Sequence, residues 1–179
     1  MILSENTRFP AAIALAVARR IVEELGPASL RIEIAGSLRR GNPTVHDIDI
    51  VVMPQQGLDQ VVLEPEMPLD QILRRLVQRG SLIDVRGKEK IKCLIAAKTR
   101  IPVDLYIATR DTWTTLLLIR TGSKEHNIKL AQRARELGMK LRASGDGIED
   151  ASGQLLRVST EEQLFSLLQV PYTPPQRRN

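Results

Sequence analysis

The run Asp47-Ile48-Asp49-Ile50-Val51-Val52-Met53 limits what this 179-residue chain can fold into more than any other stretch. Its apolar, β-branched residues read as a strand. Side chains in a strand alternate between faces, so Ile48 and Ile50 point toward a core while Asp47 and Asp49 share the opposite face. Two adjacent carboxylates repel by roughly 4 kcal/mol at 4 Å and an effective dielectric near 20. A structural role does not need that arrangement. A divalent cation turns the repulsion into a ligand set, and oxygen-only ligands suit Mg²⁺ or Mn²⁺. An isolated Asp-x-Asp also fits an exposed strand face or a turn, so the pair alone decides nothing.

Its neighbours add weight. Asp104 has the same setting, one acid between Val103 and Leu105 in a run that reads as a strand. If the two strands lie side by side, three carboxylates meet at one point. Ahead of the pair, Gly36 and Ser37 follow another strand, where backbone N–H groups and a hydroxyl can approach an anion closely. Arg39 and Arg40 supply guanidinium forks that match phosphate, although plain surface charge is the ordinary fate of an Arg pair. A phosphate-binding loop just ahead of metal-binding acids is the layout that phosphoryl transfer requires, with metal ions stabilising the attacking and leaving oxygens.

Periodicity organises the rest. Ile13, Val17, Ile21 and Leu25 repeat at helical spacing over residues 10–25, and Gly26-Pro27 ends the run. Residues 30–36 read as a strand and 47–53 as its neighbour. Residues 55–68 are a connection with two prolines. Leu69, Ile72, Leu73, Leu76 and Val77 define one face of a helix over 69–79, closed by Gly80. Short strands are expected near 82–86, 91–97 and 101–108. Then the texture turns helical: 111–120; 123–138, with Ser123 as N-cap and Leu130, Ala134 and Leu137 facing the core; and 160–169, capped by Thr160. Residues 144–154 are turn-rich. The expected architecture is α+β, a mixed β-sheet flanked by helices over residues 1–108 followed by a small, mainly helical subdomain over 109–179.

Composition narrows the function classes. With 42% hydrophobic and 26% charged residues the chain has enough apolar material for a packed core. No apolar run approaches the roughly 20 residues of a membrane span, so no membrane partner is expected. The start lacks the features of a signal peptide, and the lone Cys93 cannot form an internal disulfide. An intracellular, cytoplasmic setting is expected. The net charge of +5 is concentrated: residues 110–142 hold eight Lys/Arg against three Asp/Glu, a surplus of five. Such a segment is either a solvated helix face or a surface that tracks phosphates. Aromatics at 3% argue against a base-stacking platform.

Residues 36–52, Gly-Ser-Leu-Arg-Arg-Gly-Asn-Pro-Thr-Val-His-Asp-Ile-Asp-Ile-Val-Val, resemble the signature of the family X DNA polymerases, the polymerase-beta-like group within the nucleotidyltransferase fold. The resemblance continues in register through residues 9–25 (the helix opening the palm), 103–108 (the strand with the third acid), 121–141 (the start of the thumb) and 160–178 (the carboxy-terminal end). It implies a palm over 1–108 and a thumb over 109–179. It also implies that Asp47 and Asp49 bind both of two Mg²⁺ ions, with Mn²⁺ able to replace them, and that Asp104 joins at the catalytic metal as proton acceptor. Ser37 and Arg40 would hold the β- and γ-phosphates of the incoming nucleotide, and Gly36 would allow close backbone approach. Asn127 would contact the nucleotide's minor-groove edge and Lys124 its base. Arg120, Lys129 and Arg133 of the basic segment are expected to contact DNA.

Departures are informative. His46 replaces a glycine common before the first metal-binding Asp and is expected near the triphosphate. Pro102 and Tyr106 stand where polymerase beta has arginines, so regulatory pairing of Asp104 is expected to be lost. Ile119-Arg120 replaces an aromatic pair that helps exclude a ribose 2′-hydroxyl. The palm begins almost at Met1, so no lyase domain is expected. The function implied is template-directed addition of deoxynucleotides to a primer 3′-hydroxyl by a monomer, filling gaps in repair. Alternatives are template-independent or ribonucleotide-adding transfer, a small-substrate nucleotidyltransferase lacking any need for the basic region, and a DNA-binding module with a decayed site.

Overall fold

A computed structural model of the chain describes residues 7–55, 68–88 and 90–178. Most of the 55–68 connection therefore lies outside the described residues. After a short strand β1 (Phe9–Pro10), helix α1 spans Ala11–Leu25. Its buried stripe is Ala14, Ala18, Ile21 and Leu25. The expected face is thus rotated: Ile13 is 49% exposed and two alanines replace it inward. Small side chains let the helix backbone approach the sheet closely, which bulky residues in the same stripe would prevent.

Strand β2 (Ser29–Ile34) leads into a four-residue helix α2 (Gly36–Arg39), where a loop was expected, and then into β3 (Thr44–Val45), which pairs antiparallel with β1. Next come β4 (Ile48–Pro54), α3 (Pro68–Gln78), β5 (Leu82–Lys88), β6 (Ile91–Ala96) and β7 (Pro102–Ile107). The five long strands form one mixed sheet in the order β2-β4-β7-β6-β5. Only the central β4–β7 pair is parallel. On one face α1 and α3 bury Ile48, Ile50, Val52, Val103 and Leu105 beneath Ala18, Leu25, Leu69 and Leu73. Each such aliphatic side chain contributes about 1.5–3 kcal/mol on burial.

The opposite face of β4 is covered only along its far half. There Val51 and Met53 pack with Tyr106, Trp113, Leu116 and Leu117, the last three from helix α4 (Trp113–Thr121). Burial on both faces explains why Val51-Val52-Met53 reads as an unbroken apolar run. The uncovered near half carries Asp49. Helix α4 then hands the chain to a second core: Leu118 joins Leu130 and Ala134 of α5 (Lys124–Glu136) and Leu164 and Phe165 of α6 (Glu161–Leu167). Leu137 sits half-buried at the cap of α5. Between α5 and α6, the turn-rich stretch also holds three two-residue strands, β8 (Lys140–Leu141), β9 (Ile148–Glu149) and β10 (Leu155–Leu156), in the antiparallel order β10-β9-β8. The Ser123 hydroxyl caps α5 by accepting from the His126 N–H, and the Thr160 hydroxyl caps α6 by accepting from the Gln163 N–H. Among the described residues no helix is long and apolar enough to cross a membrane.

Candidate active site

The parallel pairing of β4 with β7 sets Asp49 opposite Asp104. Residues paired across a ladder point to the same side of a sheet, so these two carboxylates face each other by register alone. Asp47 lies in the bend just before β4 begins. One oxygen from each of Asp47, Asp49 and Asp104 lies within 4.8 Å of the other two, and no other such acid, His or Cys cluster occurs among the described residues. Crowding is evident in the electrostatics. Burial, then the charges of Asp47 and Asp104, push the Asp49 carboxyl up to about 7. Burial and the charge of Asp104 also raise Asp47, against opposing contributions from His46 and Arg40.

Gly36 makes room for this cluster. It adopts a left-handed φ of +59°, and a Cβ placed there would lie 1.9 Å from Asp49 Oδ2. The adjacent Ala35 N–H donates to the Asp49 carbonyl at 2.8 Å, tying the end of β2 to the acid strand. Ser37 follows, half-buried in α2. The two arginines have separate lives. Arg39 is committed elsewhere: it donates to both oxygens of Glu161 at 2.8 and 3.1 Å and to the Thr121 hydroxyl at 2.9 Å. Arg40 donates to the Thr121 carbonyl, between the sheet and the helices that follow, and its charge still reaches Asp47. His46 is exposed, with Nδ1 3.1 Å from the Thr7 carbonyl oxygen.

Ile119, Arg120, Gly122, Lys124, Asn127 and Ile128 line part of a 560 Å³ cleft on the helical side. Lys124 is exposed at the first turn of α5. Asn127 Nδ2 donates to the Ile119 carbonyl at 2.8 Å, which orients the amide, and its Oδ1 is buried with no protein partner. A buried orphan acceptor is costly unless a ligand or water satisfies it. The three expected DNA contacts differ from one another. Lys129 is exposed. Arg133 donates to the Leu168 carbonyl at 3.1 Å, to Gln169 Oε1 at 3.3 Å and to Glu136 at 2.9 Å. Arg120 lays its guanidinium 4.3 Å from the centre of the Tyr106 ring.

Sequence reasoning missed two features of this region. Tyr106 is not silent toward the acids: its hydroxyl lies 3.4 Å from Asp104 Oδ2. Its position two residues beyond Asp104, on the same strand face, was the available signal. Glu161 joins Arg39 to Arg178, whose side chain is fully buried. Nothing local marks that partnership, since Glu161 reads simply as an acid in a helix's first turn.

Comparison with known sequences places the chain. It is 31% identical over 174 residues, 96% of its length, to the DNA polymerase/3′-5′ exonuclease PolX of Bacillus subtilis (strain 168). The chain belongs to the family X DNA polymerases. The DNA polymerase beta thumb family matches residues 116–179 of this family X chain. DNA polymerase lambda of Rattus norvegicus is 27% identical over 165 residues, 80% of the chain, and that of Arabidopsis thaliana 28% identical over 180 residues, 90% of the chain. The chain spans 28% of the Bacillus and rat proteins and 34% of the Arabidopsis one.

Proposed function

We propose that this family X chain is a DNA-directed DNA polymerase, adding deoxynucleotides from their triphosphates to a primer 3′-hydroxyl and filling gaps in repair. In this reading residues 1–108 are the palm and 109–179 the thumb, the chain acts as a monomer, and it works inside the cell where DNA lies. The observation that carries the reading is the meeting of Asp47, Asp49 and Asp104 within 4.8 Å beside a glycine that leaves room for them.

The donor set fits divalent metal. Three carboxylates offer hard oxygen ligands, and their mutual repulsion, which adds to burial in raising Asp49, is what a cation relieves. Asp47 and Asp49 would hold both of two Mg²⁺ or Mn²⁺ ions and Asp104 one of them. When bound, such ions supply charge stabilisation for the attacking and leaving oxygens. The protein's own residues do the rest. Asp104 takes the proton of the primer 3′-hydroxyl, whose oxygen bonds to the α-phosphorus as the α–β phosphoanhydride bond breaks and pyrophosphate leaves. Ser37 and Arg40, with the backbone at Gly36, hold the β- and γ-phosphates. Asn127 turns its unpartnered oxygen, and Lys124 its ammonium, toward the nucleotide. Lys129 steers the duplex by its phosphates, as does Arg120 in part.

A one-nucleotide gapped duplex offered each nucleotide singly tests this. Extension with the complementary deoxynucleotide supports the reading. Asp104→Asn is expected to abolish Mg²⁺-dependent extension while leaving DNA binding intact, and equal extension by that variant would refute the assigned chemistry. The runner-up, template-independent or ribonucleotide-adding transfer, draws on one observation: Ile119 and Arg120, neither aromatic, line the cleft beside Gly122. Indifference to the templating base or to the sugar would favour it.

A further inference from the structure

We infer that Tyr106 is a positioning residue for the metal-binding carboxylates, and that Arg120, reaching over from α4, fixes the Tyr106 ring in that role. The inference rests on the metal reading proposed above and goes beyond it. Four observations carry it. Tyr106 is only 8% exposed, and a buried tyrosine hydroxyl needs a partner. It stands two residues after Asp104 on β7, so it shares the acid face, and its hydroxyl lies 3.4 Å from Asp104 Oδ2, the acid that Asp49 faces across the ladder. That is longer than a settled O–H···O bond, a gap that a small rotation of either side chain closes. The Arg120 guanidinium covers the ring at 4.3 Å, and its remaining contacts suit an anchoring part: Nη2 donates to the Ser144 carbonyl at 3.2 Å while Nε is buried without a partner.

The chemistry follows from the geometry. A carboxylate that ligates a metal through one lone pair keeps others, and an outer donor that occupies one of them fixes its orientation. The tyrosine hydroxyl has one proton to donate, and the acceptor it faces is Asp104 Oδ2, beside Asp49 in the ladder. The stacked guanidinium keeps the ring from turning away. Arg120 belongs to the helix that carries the chain into the second core, whereas Tyr106 belongs to the sheet. The placement of that helix is thereby communicated to the acids through one ring. This gives Arg120 a task distinct from gripping DNA.

The test is Mn²⁺ binding to the full chain without nucleotide or DNA, read by the electron paramagnetic resonance of free Mn²⁺. Tyr106→Phe keeps the ring and removes only the hydroxyl; it is expected to weaken Mn²⁺ about 10-fold, with kcat largely recovered at saturating Mn²⁺. Arg120→Lys keeps the charge and loses the planar stack; it is expected to weaken Mn²⁺ a few-fold. Added to Tyr106→Phe it should cost nothing more, because a ring without its hydroxyl has nothing to hold. Mn²⁺ affinity in Tyr106→Phe within twofold of the parent, or full additivity in the double variant, overturns the inference. Asp104→Asn separates the two levels. If it weakens or removes Mn²⁺ binding while Tyr106→Phe does not weaken it, the metal reading stands and the positioning role fails. If Asp104→Asn binds Mn²⁺ as the parent does, the metal reading itself fails, and the inference with it.

Discussion

A Cβ on Gly36 would sit 1.9 Å from Oδ2 of Asp49. The overlap extends to Asp49 Cγ at 2.8 Å and Cβ at 3.0 Å, so Gly36→Ala must displace either the acid or the α2 backbone. The residue's φ of +59° adds its own penalty for alanine, about 1 kcal/mol. The expected outcome is loss of primer extension by at least ~100-fold, the scale on which small misplacements of catalytic groups act. Gly41→Ala is the control. It shares a left-handed φ of +78°, but its added Cβ would meet only Gln176 Cγ at 3.8 Å. It should lose only the roughly 1 kcal/mol of the shared backbone penalty in a urea titration and keep its extension rate.

Asp49 also predicts a stability profile. Its folded-state carboxyl is raised to about 7 from an ordinary 3.8, chiefly by burial and then by Asp47 and Asp104. A raised carboxyl favours folding fully below the unfolded value, and that advantage is lost as pH rises through the folded value. In metal-free buffer the parent should therefore lose stability relative to Asp49→Asn between about pH 4 and pH 7. The gap above pH 7 is expected to be a few kcal/mol, since a tenfold change in proton affinity is worth about 1.4 kcal/mol. Thermal melts across this range measure it. Added Mg²⁺ should restore the parent and leave Asp49→Asn nearly unmoved.

The acids were legible because strand alternation is local: Asp49 and Asp104 each interrupt an apolar run, and two such interruptions in strands are conspicuous. Their meeting was not legible from periodicity, which is blind to whether β4 and β7 are neighbours and in which sense. The register Asp49 opposite Asp104 belongs to the sheet as a whole. The same limit explains the other differences. Ala14 and Ala18 face inward while Ile13 does not, because the close approach of α1 to the sheet selects small residues, and hydropathy ranks isoleucine above alanine. Arg39 reads as a phosphate fork or surface charge, and Arg133 as a DNA contact, because their partners lie far along the chain, Glu161 at a separation of 122 residues and Leu168 at 35. The short helix at Gly36–Arg39 escaped because a single turn offers no period to detect.

Lys129 and Arg133, though both basic and one turn apart on α5, should respond oppositely. Lys129 is exposed, and Lys129→Ala is expected to weaken DNA binding with little sequence dependence and to lower the slope of log K against log salt by about 1. Arg133 is spent on the Leu168 carbonyl and on Gln169 and Glu136. Arg133→Ala should leave that slope nearly unchanged and lose about 1–2 kcal/mol of folding stability through the orphaned carbonyl. Fluorescence anisotropy on a gapped duplex at several salt concentrations, together with urea unfolding, separates the two behaviours.

Glu161 is the strongest structural prediction. It is only 7% exposed. It accepts from Arg178 at 3.0 and 3.1 Å and from Arg39 at 2.8 and 3.1 Å, and so joins the tail, α6 and α2 in one ionic network. Burial pushes its carboxyl up, but the bonds from Arg178 and Arg39 outweigh that and hold it below the usual 4.5. Glu161→Gln keeps the shape and strands two guanidiniums, one of them fully buried. The expected cost is about 3–5 kcal/mol, larger than for Arg39→Gln, because Arg39 keeps 22% of its side-chain surface in water. The sign with pH is opposite to that of Asp49. A depressed carboxyl contributes stability above its unfolded value and loses it as pH falls through the folded one. The gap between parent and Glu161→Gln should therefore be full at neutral pH and shrink as pH falls below the ordinary 4.5. Urea unfolding of both proteins at neutral and acid pH measures it, and a gap independent of pH would show that the network is not held by the charge on Glu161.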